Sequence, residues 1–173
     1  HAHGLPGGPG TEGPDARAAR WLDARENRPQ VAEILSRPAY VNAPKELIGM
    51  SMTGTFRYGP DEDPVVMPDF NVFFRFAANF PWRSHAEWFI TQMARWGQIE
   101  GPVDVFAKAA RVYRPDLYRD AAGALGLAVP SIDRKSEGIH GRGWTLTEAS
   151  EPLAMGADRF FDGATFEPSE PLA

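Results

Sequence analysis

Cysteine is absent from the 173 residues. Disulfides, thiolate nucleophiles and cysteine-based zinc sites are therefore excluded. Positive charge is also short. The net charge is −5 and the sequence pI about 5.4, with no basic patch of the kind that tracks a nucleic acid. No apolar run approaches the roughly 20 residues that cross a bilayer. The opening HAHGLPGGPG lacks the apolar stretch of a signal peptide, although a mature secreted chain would have lost one. Catalytic signatures are missing as well. There is no phosphate-binding G-x-x-x-x-G-K-[ST] loop and no G-x-S-x-G elbow, and no glycine-rich dinucleotide turn follows an expected strand. The expectation is a non-enzyme without a cofactor.

What remains is an ordinary globular composition, 43% hydrophobic and 24% charged, in a length that suits about one domain. The Gly- and Pro-rich residues 1–14 read as a flexible tail. His1 and His3 could chelate copper with the α-amine, but on such a tail they are read as incidental. The remainder, 15–173, reads as one partial domain. Asp15 is a candidate N-cap for a helix over 15–25. Asn27 and Pro29 open a second over 28–36, and Pro44 a third over 44–52. Residues 53–68 form a loop whose Asp61, Glu62 and Asp63 are read as solvated. FNVFFRF at 70–76 fits a short strand or a buried helical turn equally well. Ser84 and Glu87 have capping-box spacing ahead of a helix over 85–96. Two more helices start near Pro102 and Pro115. After Pro130 the periodicity dissolves. Residues 131–173 read as a wrapping segment anchored by Phe160, Phe161 and Phe166. Trp82, Trp88 and Trp96, with Phe89, could form a stacking platform, but their helical spacing favours core.

The stretch Phe80-Pro81-Trp82-Arg83-Ser84-His85 carries the most chemistry. It sets an indole, a guanidinium, a hydroxyl and an imidazole at a helix N-terminus. Free N–H groups and the helix dipole favour anions there, and Arg83 offers a charge-assisted fork to a planar oxyanion. Structurally, the same residues could cap, staple and ion-pair. His85 and His140 have no second ligand at metal spacing, so no metal site is expected.

FPWRSHAEWF (80–89) with TQMARWGQI (91–99) resembles the C-terminal region of solute-binding proteins of nitrate/nitrite/bicarbonate-type ABC transporters. Related nitrate sensors share this wording. Three further stretches agree in order: ARWLDARENRPQVAEILSRPAYV (19–41), YRPDLYRDAAGALG (113–126) and GADRFFDGATFEP (156–168). The resemblance implies a helix-rich α/β chain, the C-terminal part of a type II periplasmic-binding fold. It implies non-catalytic binding of a small oxyanion such as nitrate or nitrite, and docking to an ABC permease. A cytosolic sensor that releases a regulatory protein is the alternative. Trp82, Arg83, Ser84 and His85 are the candidate ligand residues. The implied location is periplasmic or on the membrane exterior, with cytoplasmic as the alternative. A missing N-terminal lobe or a second copy would then cover exposed apolar surface.

Overall fold

A computed structural model describes residues 12–168, and side chains from 16 onward. The expected tail lies mostly outside these residues, as do His1 and His3. Residues 12–14 already belong to the first helix. The chain forms two compact units, Pro14–Asn79 and the residues from Phe80 onward.

The first unit holds helices α1 (Glu12–Asp23), α2 (Arg28–Ser36) and α3 (Lys45–Thr53), followed by a small antiparallel hairpin, β1 (Thr55–Phe56) with β2 (Val65–Val66). Helices α2 and α3 pack together, and Ala16, Val31 and Ala32 are buried. Asn27 precedes α2 as expected, but its side chain makes no cap. Its amide donates back to the Trp21 carbonyl at 2.9 Å. Gly54 ends α3 with φ +67°, and a Cβ there would stand 2.1 Å from the Met67 carbonyl oxygen. That close approach lets the hairpin fold back directly onto α3.

The unit is organised by a buried polar hub. Asp23 accepts the backbone N–H groups of Phe73, Phe74 and Arg75 at 3.2, 3.2 and 2.6 Å. The Arg28 and Arg75 guanidinium groups each donate to the same carboxylate at 3.1 Å. Arg28, 2% exposed, also donates to the Met52 and Asn71 carbonyls. Three successive N–H groups turned onto one carboxylate cannot also pair in a ladder. FNVFFRF therefore forms neither a strand nor a regular turn. It ends in a 3-10 turn (Arg75–Ala77) with Phe76 at φ 61° and Ala77 at φ 51°.

The second unit holds α4 (Arg83–Arg95), α5 (Val105–Val112) and α6 (Pro115–Ala124), then a hairpin of β3 (Trp144–Leu146) with β4 (Leu153–Met155). Helix α5 starts later than Pro102 suggested, because the Asp104 carboxylate caps it by accepting the Ala107 N–H at 2.9 Å. Helices α4 and α5 meet through Ala86, Ile90 and Ala109. Small side chains at that contact let the two helices approach closely. Leu146 and Met155 are buried on the hairpin. The segment after Pro130 is not free coil. Isolated bridges pair Pro130 with Ala149 and Glu137 with Phe166. Gly138 (φ +87°) lies where a Cβ would meet the Ala164 carbonyl at 2.4 Å, so the two strands of that closure pass in near contact.

Among the described residues the result is six α-helices and two two-stranded sheets. This is a helix-rich α/β chain. The four short strands owe little to local patterning. Val65 and Val66 are both exposed, so no apolar–polar alternation marks them.

Candidate functional site

Trp82, Arg83, Ser84 and His85 come together at the start of α4, where the sequence puts them. Residues 133–137 lie across the same helix end. The Arg83 N–H donates to the Asp133 carbonyl at 2.8 Å, and its guanidinium pairs with the Asp133 carboxylate at 2.8 Å. Ser84, fully buried, accepts the Lys135 N–H on its Oγ at 3.3 Å. His85 Nε2 lies 2.7 Å from Glu137 Oε1. Trp82 is 1% exposed, with its ring edge-on to Phe80 at 4.7 Å and the Lys135 ammonium 5.6 Å from its centroid.

The capping box expected from Ser84 and Glu87 does not form. Trp82 is the N-cap and makes no side-chain cap. The physical reason is the crossing segment. It supplies a carbonyl to the first helical N–H, which frees Ser84 for Lys135. Glu87, 2% exposed, turns instead to Arg134, whose Nε donates to Oε1 at 2.6 Å. Arg119 of α6 completes the set. It donates to the Pro130 and Ile132 carbonyls and to the Asp133 carboxylate at 2.7, 2.9 and 2.7 Å. Its guanidinium also lies 5.3 Å from the Phe80 ring centroid.

Groups of opposite character meet across this crossing. Arg83, His85 and Glu87 on α4 face Asp133, Glu137 and Arg134 on the crossing segment. Lys135 adds a second contact to Glu137. Charge-assisted bonds of this kind are roughly twice as strong as neutral ones. The arrangement is a clasp between a helix start and a coil. An oxyanion entering the turn would have to displace Asp133 from Arg83. Sequence reasoning missed this partner set. Its signal was the charged run Asp133-Arg134-Lys135-Ser136-Glu137, which holds the partners of Arg83, His85 and Glu87.

The other sequence candidates are dispersed. His140 Nδ1 sits 2.7 Å from Asp158 Oδ2, and its ring stacks on Trp144 at 4.0 Å. This pair closes the base of the β3–β4 hairpin. Asp61, Glu62 and Asp63 are exposed. Of the tryptophan row only Trp82 is core. Trp96 is 66% and Phe89 54% exposed. Trp88 stacks on Phe160 at 6.1 Å and, with Trp96 and Phe161, lines an open cleft of about 590 Å³.

No family model matches the chain. Individual proteins do. It is 32% identical over 160 residues to the nitrate/nitrite binding protein NrtA of Synechocystis sp. PCC 6803, covering 90% of this chain and 31% of that protein. The crystal structure of that organism's periplasmic nitrate-binding protein NrtA superposes with a TM-score of 0.65 at 27% identity, over 88% of this chain and 36% of the other. The chain is homologous to the nitrate/nitrite- and bicarbonate-binding proteins. The bicarbonate-binding protein CmpA of Synechococcus elongatus is 27% identical over 164 residues, again across 90% of this chain and 33% of its own length. The resemblance read from the residues is thus borne out, and so is the fold class that it implied. The chain spans about a third of the length of these binding proteins. The same stretch also matches the nitrate import ATP-binding protein NrtC of Synechocystis, at 30% identity over 90% of this chain but 20% of that protein.

Proposed function

We propose that this chain is the C-terminal part of a non-catalytic binding component for a small oxyanion of the nitrate, nitrite or bicarbonate class. The observation that carries the reading is its similarity, over nine tenths of its length, to binding proteins for those anions. In this reading the whole component closes on its anion on the outer face of the membrane and delivers it to an ABC permease. Closure on a ligand moves bodies and breaks no bond.

Within that component the Trp82–His85 turn acts as the clasp for residues 133–137. The anion's own donors lie in the polypeptide that packs beside this third. Two facts favour that division of labour. The guanidinium and first N–H of the turn are already committed to Asp133. The indole that could stack on a planar anion is buried.

A thermal-shift series on this chain with nitrate, nitrite and bicarbonate, against chloride, tests the assignment. A ligand present at a hundred times its dissociation constant stabilises a fold by about 2.7 kcal/mol. The expected outcome is no selective shift for any of the three anions. A nitrate-selective rise in melting temperature that disappears in Arg83→Ala would make the turn a ligand site and end the clasp reading.

A further inference from the structure

The Asp23 hub is built like an oxyanion receptor. Its carboxylate lies in a cradle of five donors: the N–H groups of Phe73, Phe74 and Arg75 and the guanidinium groups of Arg28 and Arg75. Successive N–H groups turned to one point form an anion-binding concavity. Guanidinium groups add charge-assisted bonds to a planar oxyanion. Each guanidinium is also held in place by partners other than Asp23. Arg28 donates to the Met52 and Asn71 carbonyls at 2.9 Å, and the Asn71 amide is itself anchored on the Ser51 carbonyl at 2.8 Å. Arg75 donates to Asp69 at 3.0 Å and lies 5.4 Å from the Phe76 ring centroid. The cradle has donors to spare. Arg28 Nε and Arg75 Nη2 are buried and bond to nothing among the described residues.

We propose that these donors form a receptor for a planar oxyanion, that Asp23 fills it from within as a tethered ligand, and that free formate, nitrite or nitrate binds there once this side chain is removed. Charge selects the ligand class. Without Asp23, Arg75 keeps Asp69 as a counter-ion. Arg28, 2% exposed, keeps only carbonyls among the described residues. A buried charge stripped of its counter-charge is strongly destabilising, so the vacated cradle draws in an anion. Shape selects within the class. The cradle grips two oxygens on one planar centre: Oδ1 accepts from Phe73 and Arg28, and Oδ2 from Phe74 and Arg75. Formate, nitrite and nitrate present the same pair of oxygens, and chloride does not. Position allows the exchange. Arg75, 39% exposed, forms the solvent side of the cradle. Asp23 is the last residue of α1, an end where glycine is tolerated. The site is independent of where the whole component binds its anion.

The test is thermal unfolding of the full chain carrying Asp23→Gly, followed by circular dichroism, in formate or nitrite against chloride at equal ionic strength. The variant is expected to show a saturable rise in Tm of at least about 5 °C with the planar ions and none with chloride. The unsubstituted chain and Asp23→Asn, whose amide keeps the space filled, are expected to show no such rise. If Asp23→Gly is unfolded in chloride, the planar ions are expected to restore its helical signal. No gain or restoration in Asp23→Gly overturns the proposal, as does an equal gain with chloride. An equal gain in Asp23→Asn or in the unsubstituted chain also overturns it, since the ion would then bind elsewhere.

Discussion

Asp23 does more for its unit than any other described carboxylate. Burial alone would raise its pKa. The N–H groups of Arg75 and Phe73 and the Arg75 guanidinium outweigh that effect, so the carboxyl sits below its ordinary value. A group with a depressed native pKa binds fewer protons folded than unfolded. Its stabilisation is present above the unfolded value near 3.8 and is lost as the pH falls through the native one. Acid should therefore loosen residues 14–79 below about pH 4, and Asp23→Asn should flatten that dependence, as followed by circular dichroism from pH 7 to 2. Asp23→Ala leaves the buried Arg28 without its counter-charge. It should cost about 3–5 kcal/mol in a denaturant titration. A loss below 1 kcal/mol would mean that Arg28 is adequately held by the Met52 and Asn71 carbonyls alone. None of this was legible in the sequence. An aspartate ending one helix and a phenylalanine-rich run some fifty residues later share no pattern.

At the scale of elements, the helices were legible and their ends were less so. Periodicity marks α2 and α4 to within a residue or two, since their apolar faces recur every third or fourth position. Where the structure departs, a long-range partner intervenes. Ser84 and Glu87 have capping-box spacing, but Lys135 and Arg134 claim both side chains. The strands were nearly invisible, because β1 and β2 are two residues each and are set by the return past Gly54. The clasp makes an element-level prediction. Arg134→Met strands the buried Glu87 carboxylate and should cost about 1.5–3 kcal/mol, the range for a bond to a charged group. Arg83→Ala should cost less, because that pair is partly solvated and Arg119 still holds Asp133. Hydrogen exchange should then show the loss concentrated in residues 83–90 and 133–140. Uniform loss across the second unit would mean that the charges serve general packing.

At the scale of the whole molecule, four ordered stretches in the sequence were enough to place the chain beside the oxyanion-binding proteins. No ligand contact was legible in the sequence beyond the Trp82–His85 turn, whose polar groups pair with the chain's own coil. Helix N-termini attract any carboxylate, and here the chain itself brings Asp133 to the turn, 2.8 Å from the Arg83 guanidinium. The central claim is that this chain can stand in for the matched third of a nitrate-binding protein. Its most direct test replaces that third in the Synechocystis protein with residues 12–168 of this chain. Nitrate binding by the exchange protein is then measured by calorimetry, with circular dichroism to check folding. The account predicts saturable nitrate binding within about tenfold of the parent, a change of 1.4 kcal/mol, and the same affinity in Arg83→Ala. A folded exchange protein that binds no nitrate would contradict it.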